Sequence, residues 1–487
     1  MEDPKTKMKS ATITVDSMIC VNMNEIGFDL VHIIKTEFTK PNPQYHMMKN
    51  SGMRFDERDF PRYIVSYETD KDVLKIPRGT GRWMREFLTN RGFTVSVVDK
   101  RVTIAQQIDF SLNYGAKCAN GKIFQSLYPY QEAAVGAVSR NQEGMINADC
   151  GGGKTLCGIA LIDKIKQPTI VFVHTGDLAG QWLKELTEKG KGNFTIGNFG
   201  FGQKSISDIT IATVQSFSRL SVEEKESMME NFGCVILDEC HHAPADSFAN
   251  CLNHSKAKYR FGLTATPKRS DGLGYLMFDL ISRFTYTVTN EQIANSNVRA
   301  KVPTVTPVAT GYSFNRNLTM ASRIPILVGM SENVTRNNKI VDCIESDIKL
   351  GYFPLVITQF VDHAKTINER LRSRGLESRL LVGEVMKKER LEIIELARKN
   401  QIHAVIATKV ADEGLDIPQL DCIHLLIPHS NDTKLQQQIG RIRRSCDGKL
   451  DPVVRDYVDG GPYFFKSWAR RLKLYRNWGF ETNELVV

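Results

Sequence analysis

Ala148-Asp149-Cys150-Gly151-Gly152-Gly153-Lys154-Thr155 is the stretch on which the fold turns. Successive small residues let backbone N–H groups curl around an anion, and the pattern is that of a phosphate-binding loop with alanine at the first position in place of glycine. Gly151 and Gly153 would line the cradle, and Lys154 would neutralise the β- and γ-phosphates of ATP. The Thr155 hydroxyl would ligate Mg²⁺, and the helix that follows would point its positive end at the phosphates. A glycine-rich turn that precedes a lysine by chance is the plain alternative, so the flanking sequence has to decide.

Downstream of the loop, continuous apolar runs alternate with helical segments: Thr169–Val173, Ile209–Ala212 and Cys234–Leu237. Such runs predict parallel strands covered on both faces. Directly after the last of them stands Asp238-Glu239-Cys240-His241. Asp238 at a strand end would hold Mg²⁺, and Glu239 would orient or deprotonate an attacking water. The texture recurs in Leu355–Thr358, Ala404–Ala407 and Cys422–Leu426, which predicts a second α/β unit. Gln437-Gln438-Ile439-Gly440-Arg441-Ile442-Arg443-Arg444 closes that unit. Arg441 and Arg444 lie three apart, can face one way from a helix, and would stabilise charge developing on a transferring phosphoryl group. Ligands of open parallel sheets bind at the carboxyl ends of the strands, where these motifs fall.

Residues 1–120 differ in texture, with strand-like runs at Arg62–Tyr67 and Phe93–Val98 and a helix-like stretch near Arg82–Asn90, and read as a small α+β domain. Residues 121–295 form the first α/β unit and 305–450 the second. The polar stretch Asn295–Pro307, with two prolines, reads as a linker. Residues 451–487 make a basic amphipathic extension, whose favoured reading is an apolar side packed on the second unit with its charges solvated. The chain has 487 residues, 41% hydrophobic and 24% charged, which excludes a disordered polymer. Its formal charge of +9 permits a polyanion partner without establishing one. None of the ten cysteines forms a C-x-x-C pair, so a zinc knuckle is not expected, and His241 and His242 lack a matching ligand cluster. With no signal peptide and no membrane-length apolar run, a reduced cytoplasmic protein without membrane partners is expected.

The motifs, in this order on two α/β units, resemble those of superfamily 2 helicases over about 330 residues. The resemblance implies two tandem RecA-like domains behind the N-terminal one, with ATP and Mg²⁺ as cofactors. Leu127-Tyr128-Pro129-Tyr130-Gln131 resembles the adenine-reading segment and puts Gln131 on the base; the family commonly has arginine at the place of Tyr128. Thr264-Ala265-Thr266-Pro267 is similar to the motif coupling nucleotide to nucleic acid. Ala411–Pro418 is similar to the motif that brings Gly414 and Asp416 to the ribose and phosphates. Thr175, Gly176, Thr213 and Gln215 on the first unit, with Gln359 and Thr408 on the second, match positions that touch a nucleic-acid backbone. For each of these polar residues a helix cap is the plain alternative.

Asp-Glu-Cys-His together with Gly262–Pro267 resembles the branch containing XPB, RecG, restriction-enzyme motors and the phage helicase UvsW, which favours DNA over RNA. The compact layout is similar to phage and large-DNA-virus helicases. That implies a monomer acting on forked or branched DNA, in host cytoplasm, during repair, recombination or replication. A duplex translocase that separates no strands, and an RNA helicase or transcript-release factor, are the competing readings. Lys154→Ala is expected to abolish ATP hydrolysis while leaving the circular-dichroism spectrum and melting transition intact; normal turnover would remove the phosphate-loop reading.

Overall fold

The computed structural model describes residues 9–50, 54–118, 123–148, 152–200, 202–240, 245–265, 272–289, 292–293, 302–314, 323–408, 415, 417–428, 431–443, 446 and 448–485. The chain divides into two compact units, residues 1–148 with 153–289, and residues 290–487 with 149–152.

The first unit carries two sheets. The N-terminal one has five strands in the order Glu68–Asp70, Val73–Pro77, Met18–Asn22, Lys9–Val15, Phe93–Asp99. Alternation along these strands buries Ile13, Ile19, Val21, Leu74 and Ile76 with Val31 and Ile34 of helix Phe28–Glu37 and Met84, Phe87 and Leu88 of helix Gly81–Thr89. The expected strand over Arg62–Tyr67 shrinks to Tyr63–Val65, which pairs with Thr39–Pro41 in a separate two-stranded ribbon. The residues of this strand are exposed or half-buried, and within the run it is Tyr67, beyond the strand, that packs against the N-terminal core.

The second sheet has eight strands, in the order Gln203–Lys204, Ile196–Gly200, Ile209–Thr213, Thr169–Val173, Cys234–Leu237, Tyr259–Thr264, Glu143–Asn147, Thr285–Thr287. All neighbours are parallel except the terminal Gln203–Lys204 pair. Every residue of Thr169–Val173, Ile209–Thr213 and Cys234–Leu237 is buried, as the continuous apolar runs predict.

A clasp joins the two sheets. Arg78 is fully buried, and its guanidinium donates to the carbonyls of Ala257 (2.6 Å) and Lys258 (2.7 Å) and pairs with Glu143 at 3.4 Å. Burial lowers its pKa to about 10, which still leaves it charged at neutral pH. Arg260, also fully buried, donates to Leu280, Leu252 and Ser255 carbonyls and, at 3.3 Å, to the Ser17 carbonyl of the N-terminal sheet. Next to Arg78, Gly79 sits so close to the helix Gly274–Leu280 and the residues after it that a Cβ would lie 2.5 Å from Phe278 O, 2.6 Å from Asp279 O and 2.7 Å from Ser282 N. The segment after the N-terminal sheet continues the attachment: Val102 N donates to Lys256 O, Ile104 N to the Gln167 side chain, and Phe110 packs edge-on against Phe194. Arg78 is thus a structural residue and unavailable to a nucleic-acid backbone, whereas Arg82, Arg85 and Arg91 are exposed.

The second unit is built on seven parallel strands, in the order Ser378–Leu381, Ala404–Ala407, Pro354–Ile357, Cys422–Leu425, Val453–Gly460, Thr304–Ser313, Glu481–Thr482. The expected linker therefore ends earlier than its prolines suggest, because Thr304–Pro307 already belong to a strand. Pro307 is tolerated where Glu481–Thr482 no longer pairs and the strand has a neighbour on one side only. The basic helix Pro462–Asn477 buries Phe464, Arg471 and Tyr475. Arg471 forms two 2.8 Å bonds with Asp456, which also accepts from Tyr475 Oη at 2.7 Å. The packed reading of this helix holds, with Lys466, Lys473 and Arg476 left exposed.

Gly79→Ala is expected to destabilise the first unit by about 2 kcal/mol or more, since backbone atoms, not mobile side chains, must give way. Urea unfolding should show a lower midpoint at an unchanged slope.

Candidate nucleotide site and strand track

Parallel strands deliver their loops to one edge, and in the first unit the predicted residues of two motifs meet there. Lys154 opens the helix Lys154–Ile165, preceded by Gly153 at φ +72°. Its Nζ lies 3.3 Å from the Ala148 carbonyl and 3.4 Å from Glu239 Oε1, with the side chain 8% exposed. The Asp238 carboxylate accepts from Trp182 Nε1 at 2.7 Å and from the Glu239 backbone N–H at 2.9 Å. Burial, then the neighbouring Glu239 charge, push its pKa up to about 6, against the opposing pull of Trp182 and Lys154. Glu239 adopts φ +47°, a left-handed conformation that a non-glycine residue holds only at some cost. The bend lets its carboxylate reach Lys154.

Thr155 Oγ1 accepts from Gln181 Nε2 at 3.4 Å. Gln131 lies on helix Pro129–Arg140; its Oε1 accepts from Tyr128 N at 3.0 Å, and its Nε2 reaches to 2.3 Å from where a Cβ on Gly153 would stand. Position 153 therefore favours glycine for its left-handed backbone angle, and a Cβ there would also displace the Gln131 side chain. Tyr128 stacks on Tyr130 with ring planes 4° apart.

A lysine at a helix N-terminus beside two carboxylates and a hydroxyl can bind a polyphosphate together with a cation. Thr155 and Asp238 supply hard oxygen donors of the kind Mg²⁺ takes, and the buried, charge-averse carboxylate of Asp238 is a group that a divalent cation would restore to its ionised form.

Of the strand-track candidates, Thr175 and Thr213 are helix N-caps. Thr175 Oγ1 accepts from Leu178 N at 3.4 Å and Thr213 Oγ1 from Ser216 N at 3.3 Å. Gly176 is the first residue of the helix Gly176–Lys189. Gln215 Nε2 donates to His174 O at 3.1 Å and so ties these two strand-end loops together. In the second unit Gln359 is exposed beyond Pro354–Ile357, while Thr408 is 6% exposed after Ala404–Ala407. Arg441 lies on helix Asp432–Ile442 and donates to Leu415 O at 3.1 Å. Gly151, Gly414, Asp416 and Arg444 lie outside the described residues, as do His241, His242, Thr266 and Pro267.

Three contributors escaped the sequence reading: Trp182, Gln181 and the residue that seats Trp182, Gly158. The second unit also brings Asp347, Cys422 and His424 within metal-ligand reach of one another. There Arg455 occupies both Asp347 oxygens, at 2.9 and 2.5 Å, and His424 bonds Asp347 on one side and Tyr457 Oη on the other. That cluster is a satisfied polar network of the core.

A folded-state pKa near 6 against an unfolded value near 4 means the folded protein binds the extra proton between those limits. Stability contributed by this group falls as pH rises through that window, and the full cost stands above pH 6. Asp238→Asn is accordingly expected to stabilise the metal-free protein above pH 6 and to lose that advantage as the pH falls and Asp238 takes up its proton. Denaturant titrations of both proteins at the two ends of the window measure it.

Comparison with known proteins agrees with this geometry. Residues 124–269 match the family "Type III restriction enzyme, res subunit", and residues 336–446 match "Helicase conserved C-terminal domain". The probable helicase D10 of Escherichia phage T5 is 28% identical over 69% of this chain and 72% of its own length. The "DNA 3'-5' translocase XPB2" of Sulfurisphaera tokodaii is 25% identical over 71% of this chain and 84% of its own. In fold, the chain is similar to S. cerevisiae Dbp5, with a TM-score of 0.55, 16% identity, and coverage of 74% of this chain and 90% of that one. The first motif set falls inside one matched region and the arginine motif inside the other. The chain belongs to the superfamily 2 helicases, enzymes that bind and hydrolyse ATP, and within them to the branch of the XPB proteins and their viral relatives.

Proposed function

We propose that this protein is an ATP-driven DNA helicase that remodels forked and branched DNA, with residues 1–120 choosing the substrate. Relatives named as a DNA 3'-5' translocase and a DNA 3'-5' helicase support DNA as the track. In this reading Thr155 and Asp238 would hold Mg²⁺, which would supply positive charge to the phosphates of ATP. Lys154 neutralises the phosphates, Glu239 takes the proton of the attacking water, and Arg441 and Arg444 stabilise the charge of the transition state. Gln131 reads adenine, and Gly151, Gly153, Gly414 and Asp416 line the rest of the nucleotide. One strand lies along Thr175, Gly176, Thr213 and Gln215 and continues over Gln359 and Thr408.

The observation that carries the substrate proposal is the Arg78–Gly79 clasp. A track that touches phosphates alone cannot tell a fork from a duplex end. An accessory sheet fixed to the first motor unit can, because it holds a second contact at a constant offset. Arg82 and Arg85 stand exposed on the helix Gly81–Thr89, and Arg91 stacks over Phe87 just beyond it, 3.7 Å from the ring centre. A duplex translocase that separates no strands is the second reading, favoured by the name of the XPB2 relative.

Because residues 101–112 are woven into the motor unit, point variants test the proposal better than truncation. The triple variant Arg82→Ala/Arg85→Ala/Arg91→Ala is expected to lower fork and Holliday-junction unwinding about 10-fold. ATPase stimulated by linear single-stranded DNA should stay within about 2-fold, and the salt dependence of fork binding should flatten. Unchanged fork preference would place recognition elsewhere. Triplex displacement without duplex unwinding would favour the translocase, and stimulation by RNA above DNA would remove the DNA reading.

A further inference from the structure

We propose that Trp182 and Gln181 are positioning residues that carry strand binding to the Mg²⁺ ligands. The inference rests on the reading above, in which Thr155 and Asp238 hold the cation and the Thr175 end of the helix Gly176–Lys189 meets the nucleic-acid backbone.

That one helix touches both ligand residues. Gln181 Nε2 donates to Thr155 Oγ1, and the next residue, Trp182, donates from Nε1 to Asp238 Oδ2. The helix begins at its Thr175 cap, about 10 Å before them along the axis at the usual rise. Gln215, on the neighbouring track loop, bonds the His174 carbonyl just ahead of that cap. A strand seated on either loop thus loads the same helix.

The far end of the lever is held without slack. Trp182 is completely buried. Its ring lies against Gly158, where a Cβ would stand 2.4 Å from ring carbon Cη2 and 2.9 Å from Leu263 Cδ1. Gly158 is one turn beyond Thr155 on the helix that starts with Lys154. Close-packed groups pass displacement on instead of absorbing it. A shift of the Gly176–Lys189 helix must therefore press on the phosphate-loop helix through the ring, or pull on Asp238 through the indole N–H. In a dry site the loss of that N–H leaves a carboxylate oxygen poorly satisfied, so the bond has leverage that an exposed one would lack.

The test uses the full chain with Trp182→Phe, which keeps the aromatic bulk and removes the donor, and Gln181→Leu, at a half-exposed position. Five quantities are measured: turnover with and without single-stranded DNA, DNA affinity, KM for ATP, half-saturating Mg²⁺, and melting temperature. We expect the ratio of stimulated to unstimulated kcat to fall about 10-fold in Trp182→Phe and about 5-fold in Gln181→Leu. Half-saturating Mg²⁺ should rise several-fold, while DNA affinity and KM for ATP shift less than about 2-fold. A full stimulation ratio in either folded variant overturns the proposal, including the case where melting temperature drops and the ratio holds. If Trp182→Phe does not fold, Gln181→Leu decides alone. Thr155→Ala separates the premise from the inference: if it leaves the Mg²⁺ requirement unchanged, the metal assignment itself is wrong and the coupling falls with it.

Discussion

A single buried carboxylate sets the terms for the first motor unit. Asp238 stands at the end of a strand whose every residue is buried, so its charge has no water to lean on. One indole N–H, one backbone N–H and the nearby Lys154 ammonium make the charge tolerable without making it comfortable. Much of the local sequence serves that compromise. Gly158 leaves room for the ring that bears the indole, and Glu239 accepts a left-handed backbone so that its own carboxylate reaches the lysine. Such a site suits a cation, because the same charge that is expensive in the metal-free protein would become a ligand if Asp238 holds Mg²⁺ as proposed.

The second unit handles buried charge differently. Arg336 pairs with Asp459, Arg455 with Asp347 and Arg471 with Asp456, each with a guanidinium on a carboxylate inside or beside the sheet. Burial is offset there by direct pairing, although Arg336 Nη1 is left without a partner of its own. Pairing is not universal there, since the buried carboxylate of Asp421 accepts from the backbone N–H groups of Phe353 and Leu450 instead.

How much of this was legible depends on how local each signal is. Phosphate loop, Asp-Glu strand end and apolar parallel strands are contiguous patterns, and all were readable as such. Trp182 was not: an indole on the apolar side of an amphipathic helix looks like core, and its acceptor is 56 residues away. The role of Arg78 is hidden for the same reason, since its carbonyl acceptors lie 179 and 180 residues downstream. Pro303 and Pro307 suggested a linker because proline is a strong local breaker, while the edge position that makes Pro307 harmless is set by a strand at the C-terminal end of the sheet. The Thr175 and Thr213 caps were foreseen as alternatives, and capping and backbone binding use the same loop ends.

The Arg78–Gly79 clasp also bears on how such a protein can diversify. An accessory domain is most simply exchanged where the boundary is a flexible linker crossed by few contacts. Here the seam has to respect a key and its lock: a guanidinium on one side, two carbonyls on the other, and a glycine that admits no side chain between them. An incoming sheet that kept residues 78–79 and the wrap through Leu112 could seat on this motor with any outer face. One joined at the end of Phe93–Asp99 would discard the key and leave the carbonyls of Ala257 and Lys258 without their donor. Inheritance of a new substrate preference is therefore easiest by changing the outer surface of the existing sheet, one exposed residue at a time, behind an unaltered attachment.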